Sequence, residues 1–142
     1  MKKKEPVSHI MTPQPITVEV NQSIPEVMEV VRKHHFRHVP VVNNGDLVGI
    51  ISKTDLDRLS FSDYLPEEED ADDAIVDMLS VSQVMTHKPR VVTASESIYN
   101  VAKILSKEEF HALPVVEDHS KKKLVGIVTT TDVIRYLLEQ YE

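Results

Sequence analysis

Two heptapeptides in this 142-residue chain hold the residue types from which a ribose-phosphate site can be made: GIISKTD at 49–55 and GIVTTTD at 126–132. In each, a glycine, Gly49 or Gly126, allows close approach of a ligand or another backbone. Two apolar residues follow. Hydroxyls then stand at Ser52 and Thr54, or at Thr129 and Thr131, and Asp55 or Asp132 closes the segment. If a helix starts here, its free N–H groups and positive dipole end favour an anion. The hydroxyls can add hydrogen bonds to phosphate oxygens, and the carboxylate can accept both hydroxyls of a ribose. The same residues also serve as plain helix caps, and neither heptapeptide alone separates the two roles.

The elements that must position these residues occur twice. Segment 8–44 aligns with 82–118 at a constant offset of 74, with 13 identities in 37 positions. After three extra residues in the EDHSKKK loop, 47–58 aligns with 124–135, with seven identities in twelve. That is far above the roughly one in twenty expected by chance, so the chain is two copies of one unit. Each copy opens on a short extended piece, at 16–18 and 90–93. Ser23 or Ser97 then stands at a helix N-cap position, and Glu26 follows Ser23 at capping-box spacing. Ile24, Val27, Met28 and Val31, like Ile98, Val101, Ala102 and Leu105, recur on one helical face. The β-branched runs VPVV (39–42) and LPVV (113–116) predict buried strands. Asn44-Gly45 predicts a hairpin turn into LVGIIS (47–52), matched by LVGIVT (124–129). Second helices begin near Thr54 and Thr131. The order is β-α-β-β-α, twice, an α/β (α+β) chain. The predicted division is a first domain at 1–60, an acidic linker at 61–81 and a second domain at 82–142. Within the linker, 66–73 is a run dominated by acids, and 74–79 could form a short helix.

The M-T-x-x-P openings (MTPQP, MTHKP), the x-PVV strands and the closing Gly-to-Asp heptapeptides together resemble cystathionine-β-synthase (CBS) domains, over nearly the whole chain. The resemblance implies two units packed about a pseudo-two-fold axis, with clefts that take an adenosyl ligand: AMP, ADP, ATP or S-adenosylmethionine. It places the ribose-contacting carboxylates at Asp55 and Asp132, and the phosphate-contacting hydroxyls at Ser52, Thr54, Thr129 and Thr131. The adenine pocket falls beside Ile16, Thr17 and Val18 in one copy and Arg90, Val91 and Val92 in the other. A cation precedes the proline strand: Arg37, followed by His38 and Pro40, in the first copy. His111, before Pro114, fills that place in the second, and a histidine is charged only part of the time near neutral pH. Gly49 and Gly126 complete the two contact sets. No cofactor is expected to be held tightly, and the implied role is regulatory, passing a ligand signal to another protein. The alternative is a structural dimerisation module with empty clefts.

Composition narrows the remaining classes. The chain has no cysteine, which excludes disulfides, thiolate metal sites and a cysteine nucleophile. Its net charge is −7, whereas a general phosphate-backbone binder should be basic, so no nucleic acid is expected. The basic opening MKKKEPVSHIM has no apolar run of signal-peptide length, and no stretch reaches the ~18 apolar residues of a membrane span. The expectation is a cytoplasmic protein. No Ser or Thr has a histidine-and-carboxylate motif around it, and there is no Walker loop; the expectation is a non-enzyme. His34, His35 and His38 include an i,i+4 pair but lack a nearby acidic third ligand, so no metal is expected. The methionines Met11, Met28, Met78 and Met85 suit packing, and the basic loop at Lys121 to Lys123 suits solvent. Val133, Ile134, Leu137, Leu138 and Tyr141 with Tyr136 on the last helix, and Val30 and Ile104 on the first helices, exceed one core-facing stripe. They predict a homodimer.

Overall fold

A computed structural model describes residues 4–59, 78–108, 110–120 and 122–142. The acidic run at 66–73, most of the 74–79 segment and Lys121 lie outside the described residues. The chain forms two compact units, residues 16–88 and residues 1–15 with 89–142. The folded units are therefore offset from the sequence repeats: the opening segment of each repeat folds into the unit that holds the other repeat's sheet.

In the unit of residues 16–88, the elements are β2 (Val18–Glu19), α1 (Ile24–His34), β3 (His38–Asn43), β4 (Asp46–Ser52), α2 (Lys53–Leu59), α3 (Val81–Val84) and β5 (Thr86–His87). The sheet runs β2-β3-β4-β5. Strand β2 is parallel to β3, with Val18 beside Val41, and β3 and β4 form an antiparallel hairpin. The hairpin turns at Asn44 (φ 52°) and Gly45 (φ 88°), two successive left-handed residues, as a type I′ turn requires. Helix α1 starts at a capping box: the Glu26 N–H donates to Ser23 Oγ (3.2 Å), and the Ser23 N–H donates back to Glu26 Oε1 (3.4 Å). Hydrogen bonds from Gln22 and from Ser23 hold the Glu26 carboxyl below its ordinary pKa. Ile24, Val27 and Val31 turn inward from α1 onto Val39, Val41, Ile51, Leu56, Val81 and Met85, while Met28 and Val30 are half-buried against that core.

The other unit contains a 3-10 turn at Val7–His9, β1 (Thr12–Pro13), β6 (Val92–Thr93), α4 (Ile98–Lys107), β7 (Ala112–Val116), β8 (Leu124–Thr129) and α5 (Thr130–Glu139). Its sheet order is β1-β8-β7-β6. Both hairpins break register at the same place, between Val41 and Val42 and between Val115 and Val116. Val7, Val92, Val101, Leu113, Val115, Val128 and Val133 form the core. The amino-terminal segment is tied in by Val7 N–H to Glu96 O (2.6 Å) and Ile98 N–H to Glu5 O (2.8 Å). The Tyr136 hydroxyl also donates to Glu5 Oε1 (3.0 Å). Burial, with the Glu5 carboxylate against the hydroxyl, raises the Tyr136 pKa.

The β-α-β-β-α order stands in both repeats, as β2-α1-β3-β4-α2 and β6-α4-β7-β8-α5. The opening strands are shorter than 16–18 and 90–93 suggested, and each M-T-x-x-P segment supplies a further short strand. Ile104, like Val30, is half-buried against its own core, so neither is a spare surface position.

Candidate functional site

Each heptapeptide runs from the middle of a strand into the first turn of a helix, and the two junctions are built alike. In the unit of residues 16–88, the Ser52 N–H donates to Asp55 Oδ2 (3.0 Å) and the Asp55 N–H donates to Ser52 Oγ (3.0 Å). In the other, the Thr129 N–H donates to Asp132 Oδ2 (2.9 Å) and the Asp132 N–H donates to Thr129 Oγ1 (3.2 Å). Helices α2 and α5 therefore begin with reciprocal capping boxes. Each box occupies one carboxylate oxygen. Among the described residues, Asp55 Oδ1 has only the exposed Arg58, at 3.9 Å. Ionised carboxylates accept about four hydrogen bonds, so the capping role leaves capacity for a diol. Thr54 and Thr131 are exposed.

The strand register decides what gathers at this end of each sheet. His38 lies opposite Ser52, and the Lys53 N–H donates to the Arg37 carbonyl (2.8 Å). Exposed Arg37 and half-buried His38 thus adjoin Ser52, Thr54 and Asp55. In the second copy, Ala112 lies opposite Thr129 and the Thr130 N–H donates to the His111 carbonyl (2.9 Å), which brings exposed His111 to Thr129, Thr131 and Asp132. The opening segments run beside the middle strands. Val18 and Val92 are buried, Thr17 and Val91 half-buried, and Ile16 and Arg90 exposed. Pro40 and Pro114 are buried within β3 and β7, opposite Ile50 and Ile127.

Gly49 and Gly126 sit three residues back along the strand, about 10 Å from the helix start at ~3.3 Å per residue. Gly49 pairs with His87 on β5, and Gly126 with Pro13 on β1. A Cβ on Gly49 would run into Met85 Sδ and come within 2.9 Å of the Thr86 carbonyl; one on Gly126 would run into Met11 Sδ and come within 3.0 Å of the Thr12 carbonyl. The close approach that each glycine permits is taken by the chain's own Met-Thr pair. The identity of Met-Thr in both copies was the available sign of this. Lys53, exposed at the first position of α2, also stands at the junction and was not singled out from sequence. The described residues contain no group of three or more His, Asp and Glu able to hold a metal, and no helix among them is long and apolar enough to cross a membrane.

The family model for the CBS domain matches residues 7–62 and 81–139. The chain belongs to the CBS-domain family and carries a tandem pair. It is 32% identical over 130 residues to L-aspartate semialdehyde sulfurtransferase of Methanocaldococcus jannaschii, covering 91% of this chain and 22% of that protein. The chain spans 22–44% of the length of the first three curated relatives it matches. Among solved structures it resembles CBSX2, a CBS-pair protein of Arabidopsis thaliana, in complex with AMP. That likeness has a TM-score of 0.80 at 29% identity and covers 97% of this chain and 99% of the other. It also resembles a CBS domain pair in complex with 5′-methylthioadenosine and S-adenosyl-L-methionine, with a TM-score of 0.78 at 29% identity, covering 95% and 97% of the two chains.

Proposed function

We propose that the chain is a regulatory module that senses an adenosyl ligand, AMP, ADP, ATP or S-adenosylmethionine, and signals to a protein partner through a change in shape or assembly. The observation that carries this reading is the likeness, over almost the full length of both chains, to a CBS pair in complex with AMP. Asp55 and Asp132 are the ribose contacts. Ser52, Thr54, Thr129 and Thr131 meet phosphate oxygens, helped by Arg37 and His38 in one copy and His111 in the other. Ile16, Thr17 and Val18, and Arg90, Val91 and Val92, flank the base. The protein acts as a homodimer in the cytoplasm. The transferase chemistry named for the longer relatives belongs to those proteins, and this chain's role is to sense.

An AMP-sized ligand of about 23 heavy atoms, at ~0.3 kcal/mol per atom, gives about 7 kcal/mol and a Kd near 10 μM. Isothermal calorimetry and melting curves with each of the four ligands at up to millimolar concentration test the proposal. Saturable heat and a raised melting temperature with at least one are expected. No heat and no shift with any of them would leave a dimerisation scaffold with empty clefts.

A further inference from the structure

Each repeat opens on a strap that the fold lays across the unit holding the other repeat's sheet. Residues 5–13 seat in the unit of residues 1–15 with 89–142, and residues 79–87 in the unit of residues 16–88. The two straps sit alike. Pro6 forms a β-bridge with Ser97, and Ser80 with Ser23, positions related by the repeat offset of 74. Val7 and Val81 are both fully buried. Met11 and Met85 each lie against a strand glycine. Ser8 and Thr12 recur as Ser82 and Thr86. These shared contacts hold a strap in place, but they do not tell one unit from the other.

One contact does tell them apart. Glu5 Oε1 accepts from the Tyr136 hydroxyl on α5 (3.0 Å), and Glu5 Oε2 lies 3.2 Å from His9 Nδ1. Glu5 is half-buried and Tyr136 buried. At the repeat offsets of 74 for the strap and 77 for the helix, Glu5 corresponds to Leu79 and Tyr136 to Leu59. Leu59 and Leu79 are both half-buried against the core of the unit of residues 16–88. One strap thus brings a carboxylate to a hydroxyl, and the other brings a leucine to a unit with a leucine at the matching place. The sister unit is built without the polar contact, so the fold itself does not require it. Exchanged, both pairings fail. Glu5 would meet Leu59, whose side chain has nothing to donate, and Leu79 would cover the Tyr136 hydroxyl without accepting from it. Covering a polar group without a partner is costly. Specificity between similar surfaces comes from such penalties on the wrong partner as well as from favouring the right one.

We infer that the polar pair Glu5–Tyr136 and the apolar pair Leu79–Leu59 form a pairing code that keeps each repeat's strap on the other repeat's unit. The full chain tests it in three variants. The first exchanges the strap residues, Glu5→Leu with Leu79→Glu. The second exchanges the helix residues, Leu59→Tyr with Tyr136→Leu. The third carries all four substitutions. The first two should each melt about 5 °C or more below the parent, and the third should melt above both. Nuclear Overhauser contacts between Thr12 and Ile127, and between Thr86 and Ile50, report which strap lies on which sheet. Both should weaken in the strap exchange and return in the fourfold variant. A milder substitution covers the case in which an exchanged chain does not fold. Tyr136→Phe should lower the melting temperature of the parent but not that of Glu5→Leu, where the hydroxyl has already lost its acceptor. The inference is overturned if the strap exchange melts like the parent, or if it keeps both contacts at full strength. It is also overturned if the fourfold variant melts below either exchange, or if Tyr136→Phe costs the same in both backgrounds. None of these readings involves a nucleotide, so their outcome is separate from that of the ligand-sensing proposal.

Discussion

At the scale of the residue, Asp55 and Asp132 hold the centre of the question, because each already has a structural task. Their carboxylates close capping boxes with Ser52 and Thr129. An alanine substitution would therefore mix a helix-cap loss, roughly 1–2 kcal/mol, with any loss of ribose contact. Asparagine separates the two, since its side-chain oxygen can still accept the strand-end N–H. Asp55→Asn and Asp132→Asn are expected to melt within about 1 kcal/mol of the parent. Each should weaken AMP at its own junction about 10- to 100-fold, the worth of a charge-assisted bond of about 1.5–3 kcal/mol. Calorimetry on both variants checks this, and unchanged affinity in both would place the ligand elsewhere. The capping half of this picture was legible in the sequence, because Ser-x-x-Asp is a local spacing. That Arg37 and His38 would stand beside Ser52 was not available from periodicity. It follows from the β3–β4 register, which the family resemblance supplied and local spacing did not.

At the scale of the element, the regular pieces were readable and the exchanges between repeats were not. Period-3.6 apolar positions marked α1 and α4, and Asn44-Gly45 marked the hairpin, because those signals act within a few residues. No local signal says which sheet a two-residue strand will join. Residues Thr12–Pro13 pair with β8 and Thr86–His87 with β4, each across more than 30 residues of chain. Nor does Gln14 (φ 45°), Lys88 (φ 46°) or His35 (φ 57°) announce a left-handed backbone, since none is the glycine or asparagine that favours it. The glycines make the exchange testable. Gly49→Ala puts a Cβ against Met85 and the Thr86 carbonyl, and Gly126→Ala puts one against Met11 and the Thr12 carbonyl. Overpacking of this kind costs about 1–3 kcal/mol, so each variant should lose that much in urea unfolding. Trimming the facing methionine, Met85→Ala or Met11→Ala, relieves the side-chain clash and leaves the carbonyl contact. Each double variant should therefore be less destabilised than the sum of its two singles. Strict additivity would mean that the glycine and the methionine do not meet.

At the scale of the whole molecule, α5 carries two apolar stripes where one suffices. Val133 and Tyr136 face the core at 6% and 7% exposure. Ile134 (50%) and Leu138 (59%), with Leu137 beside them, follow a second stripe that the chain leaves wet, and exposed Tyr141 (90%) lies in the turn just past the end of the helix. The i, i+4 spacing of Ile134 and Leu138 puts them on one face of α5, with Leu137 next to them, so they form one patch rather than scattered surface residues. Such patches on soluble chains mark interaction sites. A two-fold axis through the patch would cover it on both copies at once, with the same residues on each side. A stable interface buries about 800 Å² per partner, more than these four side chains supply, so the exposed Tyr99 on α4 and neighbouring polar surface must contribute as well. The expected outcome of light scattering after gel filtration, at tens of micromolar, is a species of twice the 16.1 kDa chain mass. Leu138→Glu places a charge in the middle of the patch without touching the buried stripe. It should shift the population to monomer while the melting curve at low concentration stays close to the parent. A parent that elutes as a single 16.1 kDa species, with and without nucleotide, would show that the second stripe of α5 serves something other than a second copy of this chain.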